Sequence, residues 1–194
     1  MSCMIKKVFY NETSLHFINN RYFMEKIMTP EIKTIEPINV ISVRKTGLYS
    51  DSAERAWGEL CAFAGSAGLI KPEAKKIGVS LDNPDITGSD KLRYDACLSV
   101  DEKIQTPGNI IPQEIEGGLY AVFVHKGPYE NLIETYHGIF GIWLPASGSE
   151  LRELPSFEQY VNDPDSVDQN ELITDIYIPK NKNKLGRKRR WVYN

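Results

Sequence analysis

A carboxylate and a phenol lie two residues apart in segment 155–164, which has a proline at each end. The segment reads Pro-Ser-Phe-Glu-Gln-Tyr-Val-Asn-Asp-Pro, and this alternation is typical of a short β-strand. Because successive side chains of a strand point to opposite faces, Glu158 and Tyr160 share one face with Ser156. Both can therefore contact a ligand that lies across the strand. Alternatively, the segment is an edge strand whose Glu158 points into water.

The elements around this segment follow a β-α-β-β order. Residues 32–43 are rich in β-branched side chains and predict strand structure that is broken at Pro37. Residues 53–64 carry apolar side chains at helical spacing. Two further strand-like runs follow at 76–81 and 91–100. The same order then occurs a second time, and segment 155–164 supplies one of its strands.

A constant shift of 80 residues aligns the two units, and we call this shift the repeat offset. Its matches are Gly47–Gly127, Tyr49–Tyr129, Glu54–Glu134, Leu92–Leu172 and Asp95–Asp175. Two copies at so long a period indicate a pseudo-symmetric domain and not a solenoid. We therefore predict an α+β fold, a tandem β-α-β-β duplication over about 30–100 and 110–179. We expect an antiparallel sheet with the helices packed on one face and a ligand groove between the repeats.

The two units differ at the acid, because the repeat offset aligns Glu158 with Gly78. One unit offers a carboxylate where the other has no side chain. If the units meet about a pseudo-twofold axis, the groove between them contains one acid and one open space. We expect Glu158 to be unpaired among aromatic side chains when the groove is empty. Drift after duplication would explain the same difference.

A second helical stretch, residues 132–143, has apolar side chains at the same spacing. Each of the two helical stretches carries a tryptophan on its apolar face, Trp57 in the first and Trp143 in the second. At that spacing the side chains can pack in the core. They can also form aromatic walls of a small-molecule pocket, which typically combines such walls with a few polar groups.

Three regions of different composition divide the chain. Residues 1–28 have no clear periodicity, and we interpret them as an N-terminal extension that is either disordered or docked through a short element. Residues 29–179 form the ordered domain and contain 24 acidic and 12 basic side chains, a net charge of −12 that favours cations and repels nucleic acid. Residues 180–194 form a tail with seven basic side chains and no acid.

Several functional classes lack sequence support. No apolar run approaches the roughly 18 residues of a membrane span, and no signal-peptide core follows the N-terminus, so we expect a cytoplasmic protein. Cys3, Cys61 and Cys97 are widely spaced and predict reduced thiols, the latter two as core residues. The chain has no GKS/T, GxGxxG or HExxH motif, and we predict neither a cofactor nor a metal. The N-terminal extension is too short for a helix-turn-helix module with its linker, so DNA binding is not expected.

Taken together and in order, a set of short motifs over residues 29–179 resembles the GyrI-like domain, the effector-binding module also found in some AraC-type and MerR-type multidrug-responsive regulators. The motifs are Val43-Arg-Lys-Thr-Gly-Leu-Tyr49, Tyr94-Asp-Ala-Cys97, Gly118-Leu-Tyr-Ala-Val-Phe-Val-His-Lys-Gly-Pro-Tyr129, Trp143-Leu-Pro145, Pro155-Ser-Phe-Glu-Gln-Tyr160, Asn162-Asp-Pro164 and Thr174-Asp-Ile-Tyr-Ile-Pro179. The DNA-binding half of those regulators has no counterpart in the sequence, which indicates a stand-alone form.

The resemblance implies a ligand groove with a central acid in the F-E-x-Y segment, which here is Glu158 followed by Tyr160. Family members typically bind bulky, often cationic aromatic compounds. We therefore expect the ligand to contact the acid and a set of aromatic side chains: Glu158, Tyr160, Trp57, Trp143, Tyr94, Tyr129, Tyr136 and Phe123.

Three functions are compatible with this resemblance. The chain could be a stand-alone protein that binds cationic or hydrophobic aromatic compounds, for drug or toxin sequestration or for sensing. Alternatively, it could be a hydrolase of electrophilic toxins, as some relatives are, in which Glu158 activates a water and a tyrosine such as Tyr160 donates a hydrogen bond. The third is an interaction protein with a gyrase-like partner, in which the acidic domain mimics DNA.

Overall fold

The computed structural model describes residues 29–182, which form one eight-stranded antiparallel sheet with helices on one face. The strands are β1 (Glu31–Ile35), β2 (Ile38–Thr46), β3 (Lys76–Ser80), β4 (Arg93–Ser99), β5 (Ile111–Ile115), β6 (Gly118–Lys126), β7 (Phe157–Tyr160) and β8 (Ile173–Pro179). The helices are α1 (Tyr49–Ser66), α2 (Leu132–Gly138) and α3 (Leu144–Ser147), with a π-helical turn (Ile139–Trp143) between the last two. This architecture confirms the predicted α+β class.

The strand order is β1-β6-β8-β7-β3-β4-β2-β5, so the two halves of the chain meet at the β7–β3 pair. The first residues of β1 and β5, of β2 and β6, and of β4 and β8 are separated by the repeat offset. Each half also contributes an edge strand to the other half, because β1 pairs with β6 and β5 pairs with β2. This exchange was not predicted. The duplication itself stays a prediction, which superposition of the halves would test.

Side-chain alternation gives the sheet two different apolar faces. On the helix face, one cross-strand row runs Phe123–Ile176–Glu158–Gly78–Ala96–Val43. Helix α1 covers the β2–β4 end of this face and the second helical stretch covers the β6–β8 end, each with its own buried cluster. On the opposite face the curled sheet forms a third cluster that includes Tyr120, Phe157 and Tyr177.

Helix α1 buries Ser52, Ala56, Leu60 and Ala64, which recur every four residues and therefore lie on one side. Cys61 falls outside this stripe and is exposed, so its predicted place in the core is wrong, whereas Cys97 is buried in β4 as expected.

The second helical stretch is interrupted where α1 is continuous. Helix α2 ends at Gly138, and the π-helical turn Ile139–Trp143 leads into α3, which ends before Gly148 in the left-handed region at φ 62°. The turn shifts the apolar side chains around the helix axis. As a result, the side chains of Tyr136 and Trp143 contact different parts of the helix face of the sheet.

The predicted N-terminal extension and most of the basic tail lie outside the described residues. Within 29–182, none of the helices has the length and hydropathy needed to cross a membrane. In the same range, the His, Cys, Asp and Glu side chains form no group of three that could hold a metal ion.

Two aspartates aligned by the repeat offset have different partners. Asp95 on β4 is buried and accepts a bidentate pair from Arg44, with Nε–Oδ1 at 2.6 Å and Nη2–Oδ2 at 2.7 Å. At the equivalent position opposite Asp175, strand β6 has Val124 instead of an arginine. Burial raises the pKa of Asp175, and the charge of Lys33 offsets this rise in part. Its ionised form is therefore disfavoured in the folded protein.

We expect Asp95→Asn to lower the free energy of unfolding by about 1–3 kcal/mol, because it breaks a charge-assisted pair at a buried site. Asp175→Asn, the matched control, should leave stability at neutral pH unchanged or higher, since a raised carboxyl pKa means that ionisation costs stability as the pH rises. Urea unfolding of both variants measures the difference. Equal losses of unfolding free energy in the two variants would show that the Arg44–Asp95 pair does not stabilise the fold.

Candidate functional site

The central acid of the sequence lies in the middle of the sheet. Strand β7 is flanked by β8 and β3, so the alternative of a solvated edge strand is wrong. Glu158 is opposite Ile176 on one side and Gly78 on the other, and it is only 5% exposed. Glu158 and Tyr160 share the helix face, as their spacing predicts.

Four aromatic side chains form a hydrogen-bond chain that ends at the acid. Tyr136 donates to Glu158 Oε1 at 3.0 Å and Tyr160 donates to Oε2 at 2.9 Å. The Tyr94 and Tyr160 hydroxyls lie 2.9 Å apart, and Trp57 Nε1 donates to the Tyr94 hydroxyl at 3.0 Å. Because each hydroxyl has one proton, Tyr94 donates to Tyr160, and all donors in the chain point towards Glu158.

This chain corrects two expectations. Glu158 is not unpaired in the empty protein, since both carboxylate oxygens accept a tyrosine hydroxyl. The space over Gly78 is not open either, because the Tyr160 and Tyr94 hydroxyls lie against its Cα, where a side chain would be. The absence of a side chain at Gly78 thus makes room for the tyrosine hydroxyls of the hydrogen-bond chain.

Burial controls the protonation of the site. Burial raises the pKa of Glu158 above its ordinary value of 4.5, and the hydrogen bonds from Tyr160 and Tyr136 lower it in part. Burial and the nearby Glu158 charge raise the pKa of both Tyr160 and Tyr136 well above 10.0. The phenols therefore remain protonated donors throughout the physiological pH range.

Aromatic rings surround the hydrogen-bond chain. The rings of Trp57 and Tyr129 meet the Tyr160 ring edge-on, with centroids at 5.8 and 5.2 Å. On the other side, Phe140 stacks on Tyr136 at 6.1 Å. Phe140 was not predicted as a site residue, because its place depends on the π-helical turn.

Two predicted site residues lie further from the acid. Phe123 is two strands away from Glu158 in the same cross-strand row. Its ring packs edge-on against Trp143 at 5.0 Å in the core beneath the second helical stretch. In the described structure, the hydrogen-bond chain thus brings together Glu158, Tyr160, Tyr94, Tyr136 and Trp57, with Tyr129 against it.

A depression of about 590 Å³ lies elsewhere, between the β1–β2 and β5–β6 connections. Its lining includes Glu36, Glu114 and Glu116 but no aromatic residue. The site around Glu158 is closed by its own side chains, so a ligand reaches the acid only if some of them move.

The structure is an α+β domain with helices on one face of a single antiparallel sheet and an acid at its centre. The model of the GyrI-like small molecule binding domain family matches residues 28–180, and the chain belongs to this family.

The chain is similar to three known proteins. It is 37% identical over 110 residues to the probable transcriptional regulator YgiV of Escherichia coli (strain K12), an alignment that covers 55% of this chain and 68% of YgiV. It is 30% identical over 138 residues to the DNA gyrase inhibitor of the same strain, covering 70% of this chain and 87% of the inhibitor.

The third is EcmrR, a protein of known structure. The crystal structure of the EcmrR C-terminal domain has a TM-score of 0.64 and 22% identity, covering 78% of this chain and 96% of that domain. In the cryo-EM structure of the EcmrR–DNA complex, the match has a TM-score of 0.66 and 22% identity, and it covers 86% of this chain but 63% of EcmrR. At this identity the similarity establishes the fold.

We expect Gly78→Ala to disrupt the hydrogen-bond chain, because the added methyl group would overlap the Tyr160 and Tyr94 hydroxyl oxygens. Overpacking of this kind lowers the free energy of unfolding by about 1–3 kcal/mol. Gly58→Ala is the matched control, since Gly58 lies exposed in α1 with open space around it. That change should instead raise stability by about 0.5–1 kcal/mol. Similar urea midpoints for the two variants would contradict the proposed role of Gly78.

Proposed function

We propose that this protein binds a bulky aromatic cation at Glu158, and that it sequesters or senses the compound. The observation that supports this most directly is a carboxylate, 5% exposed, beneath a layer of aromatic rings. A buried carboxylate attracts a cation strongly because little water competes for its charge. The rings add a second attraction, since their faces are electron-rich.

The carboxylate has capacity for a ligand even with both tyrosines in place. Two oxygens offer about four acceptor positions, of which Tyr136 and Tyr160 occupy two. A cation that approaches Glu158 can therefore share the carboxylate with the tyrosines or replace one of them. In either case at least one of the aromatic side chains that close the site must turn aside to admit it. The acidic domain, with a net charge of −12 over residues 29–179, favours the approach of cations.

A matched pair of probes tests the role of the charge. We expect Glu158→Gln to weaken binding of 10-methylacridinium roughly tenfold to a hundredfold, because a charged hydrogen-bond partner contributes about 1.5–3 kcal/mol. Binding of 9-methylanthracene, which has the same shape without the charge, should change much less. Fluorescence titration measures both affinities. Asp175→Asn, which removes an acid from the opposite face, should change neither affinity.

Two results would contradict this prediction. Equal loss for the charged and the neutral probe would mean that Glu158 only shapes the strand. Unchanged affinity for both would place the binding site of these probes elsewhere.

The pH dependence of binding gives an independent measurement. Because burial raises the pKa of Glu158, the carboxyl group loses its proton only above its ordinary value of 4.5. Affinity for 10-methylacridinium, whose charge is permanent, should rise with pH through this raised pKa. In Glu158→Gln the same profile should be flat. A rise of equal size in the variant would assign the pH dependence to another group.

The hydrogen-bond chain supports a second candidate, hydrolysis of an electrophilic aromatic compound. In this reaction Glu158 takes a proton from a water, whose oxygen attacks the substrate, and Tyr160 donates a hydrogen bond to the leaving oxygen, which receives the proton from Glu158. Tyr160 is poised for this role because Tyr94 donates to it in turn. Product analysis separates the two candidates, since catalysis releases product over many turnovers whereas binding retains one unchanged ligand per site.

The similarity to the DNA gyrase inhibitor supports a third candidate, binding to a gyrase-like partner through the acidic surface. This surface is distinct from the buried acid. This candidate predicts that wild type and Glu158→Gln inhibit gyrase to equal extents. Loss of inhibition at high salt would show that the interaction is electrostatic.

A further inference from the structure

A second polar group lies beside Tyr160 on the helix face. Thr174 is the cross-strand neighbour of Tyr160 on β7 and of His125 on β6, and it is fully buried. Its hydroxyl oxygen has no hydrogen-bond partner among the described residues. A buried hydroxyl without a partner costs free energy in the folded protein, so packing alone does not favour it.

The polar groups next to Thr174 are already paired. His125 Nε2 lies 3.2 Å from the Pro128 carbonyl oxygen, which can only accept, so Nε2 donates. In the neutral ring Nδ1 then accepts from the Thr135 hydroxyl at 2.8 Å. Tyr160 donates to Glu158. The Thr174 hydroxyl is therefore the unpaired polar group in this part of the face.

The two halves arrange the same pair of residue types differently. In each half a tyrosine is the cross-strand neighbour of a small hydroxyl residue, Tyr94 with Ser80 and Tyr160 with Thr174. The repeat offset aligns Thr174 with Tyr94, whose hydroxyl belongs to the hydrogen-bond chain. At the equivalent position the shorter side chain of Thr174 leaves its hydroxyl outside that chain.

We propose that the Thr174 hydroxyl is a second ligand contact, and that the ligand is an aromatic cation that also carries an amino, hydroxyl or carbonyl group. This inference rests on the proposed binding at Glu158. Movement of Tyr160 to expose the acid also uncovers Thr174, because the two side chains are adjacent. Glu158 and Thr174 are diagonal neighbours on β7 and β8, so their Cβ atoms are about 7–8 Å apart or less. The polar group of the ligand therefore lies within one or two ring widths of its charge.

Two related probes test this proposal on the full chain. The first is 3,6-diamino-10-methylacridinium, which carries amino groups, and the second is the parent 10-methylacridinium. We expect Thr174→Val, which keeps the shape and removes the hydroxyl, to weaken binding of the diamino probe about tenfold, the effect of losing one hydrogen bond at a buried site. Binding of the parent should change less than twofold. Thr174→Ser should restore most of the affinity for the diamino probe.

The melting temperature of the free variant is the second measurement. Thr174→Val should melt at the same temperature as wild type or higher, because it removes an unpaired buried hydroxyl. A lower melting temperature would show that the hydroxyl already has a partner, and this overturns the proposal. Equal changes in affinity for the two probes, or no change in either, also overturn it.

The same binding measurements distinguish this proposal from the proposed binding at Glu158, on which it rests. If wild type binds both probes and Glu158→Gln weakens both, the cation site stands whatever Thr174→Val does. If wild type binds neither probe, both the cation site and the role of Thr174 are wrong.

Discussion

The arrangement of the helix face depends on a carboxylate buried at the centre of the sheet. A carboxylate removed from water is stable only with hydrogen-bond donors, and Tyr136 and Tyr160 supply them from a helix and from the same strand. Tyr160 reaches Glu158 only because Gly78 on the next strand leaves room for its hydroxyl. The burial of one acid is thus coupled to a glycine on β3, a tyrosine on β7 and a tyrosine on the second helical stretch.

The two halves of the chain contribute unequal parts to one site. Their strands have the same order and spacing, yet the second half provides Glu158, Tyr160 and Tyr136, whereas the first provides Gly78 and the Trp57–Tyr94 pair. A symmetric site would place two carboxylates on adjacent strands, and their mutual repulsion would raise the pKa of one of them strongly. The asymmetry leaves one carboxylate at this site instead of two. The opposite face has a similar difference, with an arginine for Asp95 and a valine opposite Asp175.

The fold was largely predictable because its causes are local. Strand alternation and helical spacing located most elements and their order along the chain. The exchanged edge strands β1 and β5 depend on contacts between the halves, which periodicity within one half does not encode. The site was predictable in part, because strand alternation placed Glu158 and Tyr160 on one face. That the site is closed could not be predicted, because this depends on contacts of tyrosine hydroxyls from three elements. Phe123 and Trp143 are aromatic like the residues of the site, so the sequence does not distinguish them from it. They pack on each other because the second helical stretch is interrupted.

A closed site whose carboxylate already accepts two hydrogen bonds affects which ligand the proposed site would select. Binding free energy is the difference between the contacts that a ligand makes and those that it displaces. A neutral aromatic compound gains contact with the rings but gives the carboxylate nothing for a lost tyrosine hydrogen bond. A cation compensates for that loss directly, since its attraction to a desolvated carboxylate exceeds that of a neutral donor. At the proposed binding site, the hydrogen bonds that hold Glu158 in the free protein therefore make selection depend on charge, whereas the shape of the ligand is less restricted because aromatic side chains must turn aside to admit it.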